Sequence, residues 1–297
     1  MLAPIILFAF VRLDTLMQTV SSLKNNFLAE DSDLFIYIDG PKNDVQRELQ
    51  KPIISYLNDL CGFKTITIKT SAHNKGLDPS IIEGVTEVIN QYGKAIVLED
   101  DVVTSRNFLS YMNKALDVYE SNKIVMSISG FSTVVKKPST YDSDVYLFGR
   151  SASWGWATWV DRWSEIDWEI RDWNSFRHNL REIRAFNKRG GSDMFKMLSQ
   201  CMNGGNMWDI RFCYNMYKKN KYSVVPFISK TKNIGFNDLA EHCKPIKYNR
   251  LKSYFDYSDI TEFVLPYDIE PNKTIIKSRL FYQSYLMRLY SKIRNLF

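Results

Sequence analysis

Three consecutive acids, Glu99-Asp100-Asp101, close an apolar run of Ala95, Ile96, Val97 and Leu98 and are followed at once by Val102 and Val103. A buried strand ending in three carboxylates is costly to fold, because adjacent acids repel one another and burial disfavours their charged form. An open α/β sheet accepts such a sequence, since its strands point their carboxyl ends into a crevice where ligands bind. There a hard divalent cation, Mg2+ or Mn2+, held by one or two carboxylate oxygens and by substrate phosphates, would neutralise the cluster. The competing reading is a solvated acidic turn at a strand end.

The flanking sequence has the rhythm such a sheet requires. Apolar runs predict strands over 4–10, 34–38, 65–69, 94–98 and 125–129, and amphipathic spacing predicts helices over 14–25, 43–60, 79–92 and 107–119, with Asp14 as N-cap of the first. Alternation of this kind gives an α/β fold with a mostly parallel sheet flanked by helices. Beyond 129 the regular pattern stops. From Gly149 the chain is Trp-rich and polar, with helical stretches expected over 172–186, 192–202 and 209–219 and a last strand over 222–225. Sheet-forming material runs out near 245, so the expected organisation is a domain over 1–245 and a C-terminal helical extension over 246–297.

At 297 residues, 45% hydrophobic and 24% charged, the chain has ample material for a core. The net charge of +6 is modest and the basic residues are scattered, which argues against a nucleic-acid groove. Cys61, Cys201, Cys213 and Cys243 form neither CxxC pairs nor a dense framework, as expected for a reducing cytosol. The apolar run 2–11 is too short to cross a bilayer and lacks a basic leader, so it is read as the first buried strand.

Several polar residues fall just after predicted strands and so face one rim: Arg12, Asp39, Asn74, Gly76 and the acidic triplet. A guanidinium, a carboxylate and a metal site on one rim suit a nucleoside diphosphate, with Arg12 pairing with phosphate or stacking on a base and Asp39 accepting from a base N–H or ribose hydroxyl. Taken singly, Asp39-Gly40-Pro41 also reads as a turn and Asn74-Lys75-Gly76 as a loop.

These segments resemble the GT-A nucleotide-sugar glycosyltransferases related to N-acetylglucosaminyltransferase I and to bacterial enzymes that build surface polysaccharides. The resemblance runs over about 4–245. It is carried by Arg12, Phe35-Ile36-Tyr37-Ile38-Asp39-Gly40, Asn74-Lys75-Gly76, Val97-Leu98-Glu99-Asp100-Asp101, Ser153-Trp154-Gly155-Trp156-Ala157-Thr158-Trp159, Trp208-Asp209 and Ile228-Ser229-Lys230-Thr231-Lys232-Asn233-Ile234-Gly235. It implies a Rossmann-like GT-A domain in which Glu99-Asp100-Asp101 is the metal motif with Asp101 as the Mn2+ ligand, Arg12 and Asp39 contact the nucleotide, and the Asp of a Trp-Asp segment is the catalytic base. Ile210 and Arg211 stand where the eukaryotic enzymes carry a second acid. Trp154 and Trp156, flanked by small residues, would form a flat wall stacking on a sugar; the resemblance favours Trp156 for the pocket, and it places His242 where several such enzymes return a residue to the metal or the diphosphate.

Asp209 is accordingly the candidate base, with a helix N-cap as its structural alternative and Asp161 and Asp193 in reserve. His242 is alternatively a surface histidine; His73 and His178 have no helpful context. The expected partners are a nucleoside-diphosphate sugar, UDP by resemblance, and a glycan or lipid-linked glycan acceptor. From 277 to the end there is no acid, while Lys277, Arg279, Arg288, Lys292 and Arg294 accompany Tyr282, Leu286, Leu289, Ile293 and Leu296 at helical spacing. Such a basic amphipathic helix lies on the anionic inner face of the cytoplasmic membrane or docks on protein. Two rival functions remain: a nucleotidyltransferase acting on sugar phosphates, for which Phe10-Val11-Arg12-Leu13 is poor in glycine, and a non-catalytic carbohydrate-binding protein.

Overall fold

Short apolar strands and amphipathic helices alternate through the first half, each within two residues of its expected bounds: β1 (Ile5–Ala9), α1 (Leu13–Lys24), β2 (Asp33–Ile38), α2 (Asp44–Asn58), β3 (Thr65–Thr70), α3 (Leu77–Tyr92) and β4 (Lys94–Glu99). These elements come from a computed structural model that describes residues 1–236 and 251–295. Then follow β5 (Val102–Thr104), α4 (Phe108–Val118), β6 (Val125–Ser129), β7 (Val145–Phe148), β8 (Trp156–Trp159), the short helices α5 (Val160–Trp163) and α6 (Trp173–Phe176), α7 (Leu180–Gly190), α8 (Met194–Met202), α9 (Trp208–Lys218), β9 (Tyr222–Pro226), β10 (Thr231–Asn233), α10 (Lys273–Tyr282) and α11 (Tyr285–Arg294). Asp14 does not cap α1; the cap position is Arg12 and Asp14 lies in the first turn.

Eight strands form one sheet in the order β3-β2-β1-β4-β8-β6-β9-β7. The half from β3 to β4 is parallel throughout, whereas β8 runs antiparallel to both β4 and β6 and β7 runs antiparallel to β9. Neither β7 nor β8 was anticipated. The Trp-Ala-Thr-Trp segment is a central strand, and because Trp156 and Trp159 are three residues apart they enter cores on opposite faces of the sheet. In-register pairing then fixes the rim: Ala9 lies opposite Ile38 and Phe8 opposite Glu99, so the residues that follow each strand emerge side by side.

The segment after 251 is laid onto this domain. Val134 N donates to Lys252 O (2.8 Å), Ser229 N to Tyr254 O (2.8 Å) and Asp144 N to Val264 O (3.0 Å), and a buried Lys230–Asp256 ion pair fastens it. The single basic helix expected near the C-terminus is two helices, with Ser284 capping α11 through Met287 N. In α10, Ile275 packs with Tyr146, Phe148 and Val225. Residue 245, the expected boundary, lies outside the described residues, as do His242 and Leu296.

Candidate active site

A cleft of about 340 Å3 opens at the carboxyl rim of β1, β2 and β4. Arg12, Asp39, Asn74, Gly76, Glu99, Asp100, Asp101 and Asp209 all line it, so the fold brings together eight residues singled out by the sequence. Trp156 does not: it is 1% exposed, with ring centroids of Trp163 and Trp208 at 5.7 and 4.9 Å, and it is core. Of the two tryptophans read as a sugar wall, Trp154 lines the cleft. The physical reason is the strand: a four-residue β8 at the sheet centre buries its large side chains on both faces.

Asp39 organises one wall. Its Oδ1 accepts from Gly40 N (2.8 Å) and Lys75 N (2.9 Å), and its Oδ2 from Asn74 Nδ2 and Gly76 N (both 2.9 Å). Asn74 Nδ2 also donates to Gly40 O at 2.8 Å. The loop approaches so closely that a Cβ on Gly40 would lie 2.3 Å from the His73 carbonyl carbon, and Gly76 enters α3 at φ +82°, a conformation that favours glycine. Asp39 and Asn74 thus direct their polar atoms largely at each other and at the loop.

The floor is acidic. Arg12 lies between Asp100 and Asp101, bonding Asp100 Oδ1 and reaching Asp101 Oδ2 at 2.9 Å. Burial pushes the Asp100 carboxyl up to about 6, with Arg12 opposing the rise and Asp101 adding to it. Glu99 is driven well above the ordinary carboxylate range by burial and then by Asp101, Asp100 and Asp209, again against Arg12. Four carboxyl groups, those of Glu99, Asp100, Asp101 and Asp209, thus lie near one another along the floor, and Arg12 bonds two of them, Asp100 and Asp101. Among the described residues no three His, Cys, Asp or Glu side chains form a ready-made metal cage. The donor set fits a hard divalent cation that takes one or two carboxylate oxygens and completes its shell with diphosphate oxygens and water.

Asp101 is steadied from the far side of the chain, through a feature of the 228–235 segment whose role the sequence did not disclose. Antiparallel pairing of β10 with β5 returns Asn233, whose Nδ2 donates to Asp101 Oδ1 (3.1 Å), while Ile234 N donates to Asp101 O (2.9 Å). A Cβ on Gly235 would fall 2.0 Å from Asp101 Oδ2. Gly235→Ala is therefore expected to cost about 1–3 kcal/mol of stability by overpacking. Denaturant unfolding measures this, and an unchanged midpoint would contradict the close approach.

Asp209 sits in the first turn of α9, but it is not the cap. Met207 occupies the cap position, and Asp78 of α3 accepts from Trp208 N (2.9 Å) while pairing with Arg211. Asp78, unremarked in the sequence, takes the capping duty and leaves Asp209 lining the cleft. Neither reserve acid lines it: Asp161 pairs with Lys123 and Arg162, and Asp193 with Arg150 and Arg288.

No protein-family model and no curated protein matches this chain. Among solved structures it is similar to residues 1–349 of TarS from S. aureus (TM-score 0.41, 9% identity, 76% of this chain and 58% of that one). It is also similar to an apo UDP-glucose pyrophosphorylase (TM-score 0.36, 12% identity, 78% and 92%). A third similar structure is a mannosyltransferase from Pyrobaculum calidifontis in complex with GDP-Man and Mn2+ (TM-score 0.34, 11% identity, 54% and 46%). The chain spans 58% and 46% of the TarS and mannosyltransferase chains.

Proposed function

We propose that this chain is a metal-dependent inverting glycosyltransferase that moves a sugar from a nucleoside diphosphate, UDP, to a glycan or lipid-linked glycan acceptor of surface-polysaccharide synthesis. The observation that carries this reading is the convergence of Arg12, the Asp39-held loop, the acidic triplet and Asp209 on one cleft. Asp101, backed by Asp100 and Glu99, would hold the cation together with diphosphate oxygens, and His242 remains a further candidate ligand outside the described residues. The bound ion supplies Lewis-acid neutralisation of the charge gathering on the departing diphosphate. Arg12 is placed to exchange its carboxylate partners for phosphate oxygens. Phe8 and Tyr37, stacked at 5.5 Å, give the cleft an aromatic side for a base, and Trp154 gives it an apolar wall for a sugar.

Asp209 takes the proton of the acceptor hydroxyl as that oxygen bonds to the anomeric carbon. The bond from that carbon to the diphosphate oxygen breaks on the opposite face, its electron pair leaving with the nucleotide, so the configuration inverts. Titrating the protein with UDP in the presence and absence of Mn2+, then scanning nucleotide sugars for slow donor hydrolysis, tests the reading. Absence of both binding and hydrolysis overturns it, and retention of configuration in the product overturns the single displacement.

The C-terminal helix supports a membrane-proximal acceptor. Among the described residues no helix is long and apolar enough to cross a membrane. In α11, however, Tyr285, Leu286, Leu289 and Ile293 are exposed beside Lys292 and Arg294. This face suits the anionic inner surface of the cytoplasmic membrane, where a lipid-linked acceptor is presented. Sedimentation with phosphatidylglycerol vesicles is expected to carry the protein down, and Leu286→Asp with Leu289→Asp to leave it in solution; equal partition of both proteins would exclude lipid docking.

A further inference from the structure

A second cavity of about 140 Å3 adjoins the cleft and shares Ser153, Trp154 and Asp209 with it. Two arginines from distant parts of the chain line it, Arg150 after β7 and Arg279 from α10. Arg279 is 4% exposed. It donates to Thr133 Oγ1, and its guanidinium lies 5.9 and 5.4 Å from the ring centroids of Phe131 and Phe148. Among the described residues no carboxylate pairs with it, and its Nε has no hydrogen-bond partner.

Arginine cannot shed its proton to escape such a place, so the charge stays, and among the described residues the Thr133 hydroxyl and two ring faces offset its desolvation but no carboxylate does. Burial lowers the pKa of Arg279, with Tyr146 opposing the fall and repulsion from Arg150 adding to it. Nor can Arg150 lend a counter-ion: its partner Asp193 (2.9 Å) is shared with Arg288 (2.6 Å). Among the described residues the second cavity is therefore lined by two guanidinium groups and one carboxylate, that of Asp209, which also lines the acid-floored cleft beside it.

We propose that this second cavity is an acceptor subsite for an oxyanion, so that the sugar receiving the glycosyl group carries a carboxylate or phosphate near its attacking hydroxyl. The inference rests on the transferase reading for its role, and it specifies the acceptor class that reading leaves open. Planar guanidinium forks match both oxyanions, and the shared wall at Trp154 lets one acceptor reach the anion subsite and Asp209 together. It also gives the C-terminal extension a second task, since α10 delivers one of the two arginines.

The full chain titrated by calorimetry in phosphate-free buffer with methyl glucuronide, glycerol phosphate and methyl glucoside tests this. At least one anionic probe is expected to bind about tenfold or more tightly than the neutral glucoside, which is one decade in Kd. The carboxylate and phosphate arms identify which oxyanion the pocket takes. Arg279→Met is expected to erase the preference, and its melting temperature to stay at or above that of the parent because an unpaired buried charge is gone. Ser153→Asp, at the mouth common to both cavities, sets a carboxylate against the subsite and is expected to erase it too, which covers a failure of the first variant to fold. Equal affinity for all three probes, or an anion preference untouched by both substitutions, overturns the proposal. UDP titration with Mn2+ on the same sample separates the two readings: nucleotide binding without anion preference sinks only the subsite, and anion preference without nucleotide binding sinks only the transferase.

Discussion

Asp209→Asn is expected to lower the rate of sugar transfer by about 10²–10⁴-fold, the usual worth of a positioned general base, while UDP affinity stays near that of the parent. The substitution is nearly isosteric and replaces a basic carboxylate by an amide whose oxygen still accepts a hydrogen bond but is too weak a base to take the acceptor proton. It should not unfold α9. The first turn of that helix is held by Asp78, which accepts from Trp208 N and pairs with Arg211, so the amide most in need of a partner keeps it. Loss of one negative charge near the helix N-terminus costs only about 0.3–1 kcal/mol. Steady-state transfer rates together with nucleotide titration give the answer: a large fall in kcat with little change in donor affinity supports the base. An unchanged kcat would remove Asp209 from the chemistry. Asp78→Asn is the informative contrast, because it leaves the half-buried Arg211 without its ion-pair partner and should be read in stability before activity.

Asp101→Asn is expected to weaken Mn2+-dependent UDP binding by more than roughly 100-fold, beyond the 10–100-fold that loss of an outer-shell partner typically costs. Both Asp101 oxygens are held by donors: Arg12 Nη1 at 2.9 Å on Oδ2 and Asn233 Nδ2 at 3.1 Å on Oδ1. An Asn amide in that place sets a donor against a donor whichever way it turns, and it removes the charge a hard cation selects. Thermal unfolding with and without Mn2+ accompanies the titration. If the parent melts higher with metal and nucleotide and the variant does not, the carboxylate holds the cation. A variant that binds UDP and Mn2+ as the parent does would remove the acidic floor from the metal assignment.

Local sequence was enough to specify the parallel half of the sheet. Each of β1 to β4 is a short apolar run separated from the next by an amphipathic helix, and parallel pairing in register carries Arg12, Asp39 and Glu99 to one rim without further information. Asp209 was singled out by the resemblance at Trp208-Asp209, and the helix opening there pointed to a cap instead; the structure puts Asp209 in the cleft lining and the cap position at Met207. What lay beyond sequence was set by long-range contact. Whether Trp156 faces a ligand or the core depended on β8 being inserted antiparallel between β4 and β6, and the pairing partners that make those four residues a central strand are distant in the chain, Val97 back to Lys94 on one side and Ile128 to Ser129 on the other. The capping of α9 by Asp78, the clamp of Asn233 and Gly235 on Asp101, and the burial of Arg279 beside Arg150 have the same origin. Periodicity reports which face of an element is apolar, because that is a property of neighbours in the chain; which polar side chain meets which is decided when elements far apart in sequence are packed against one another, and only the tertiary structure carries that.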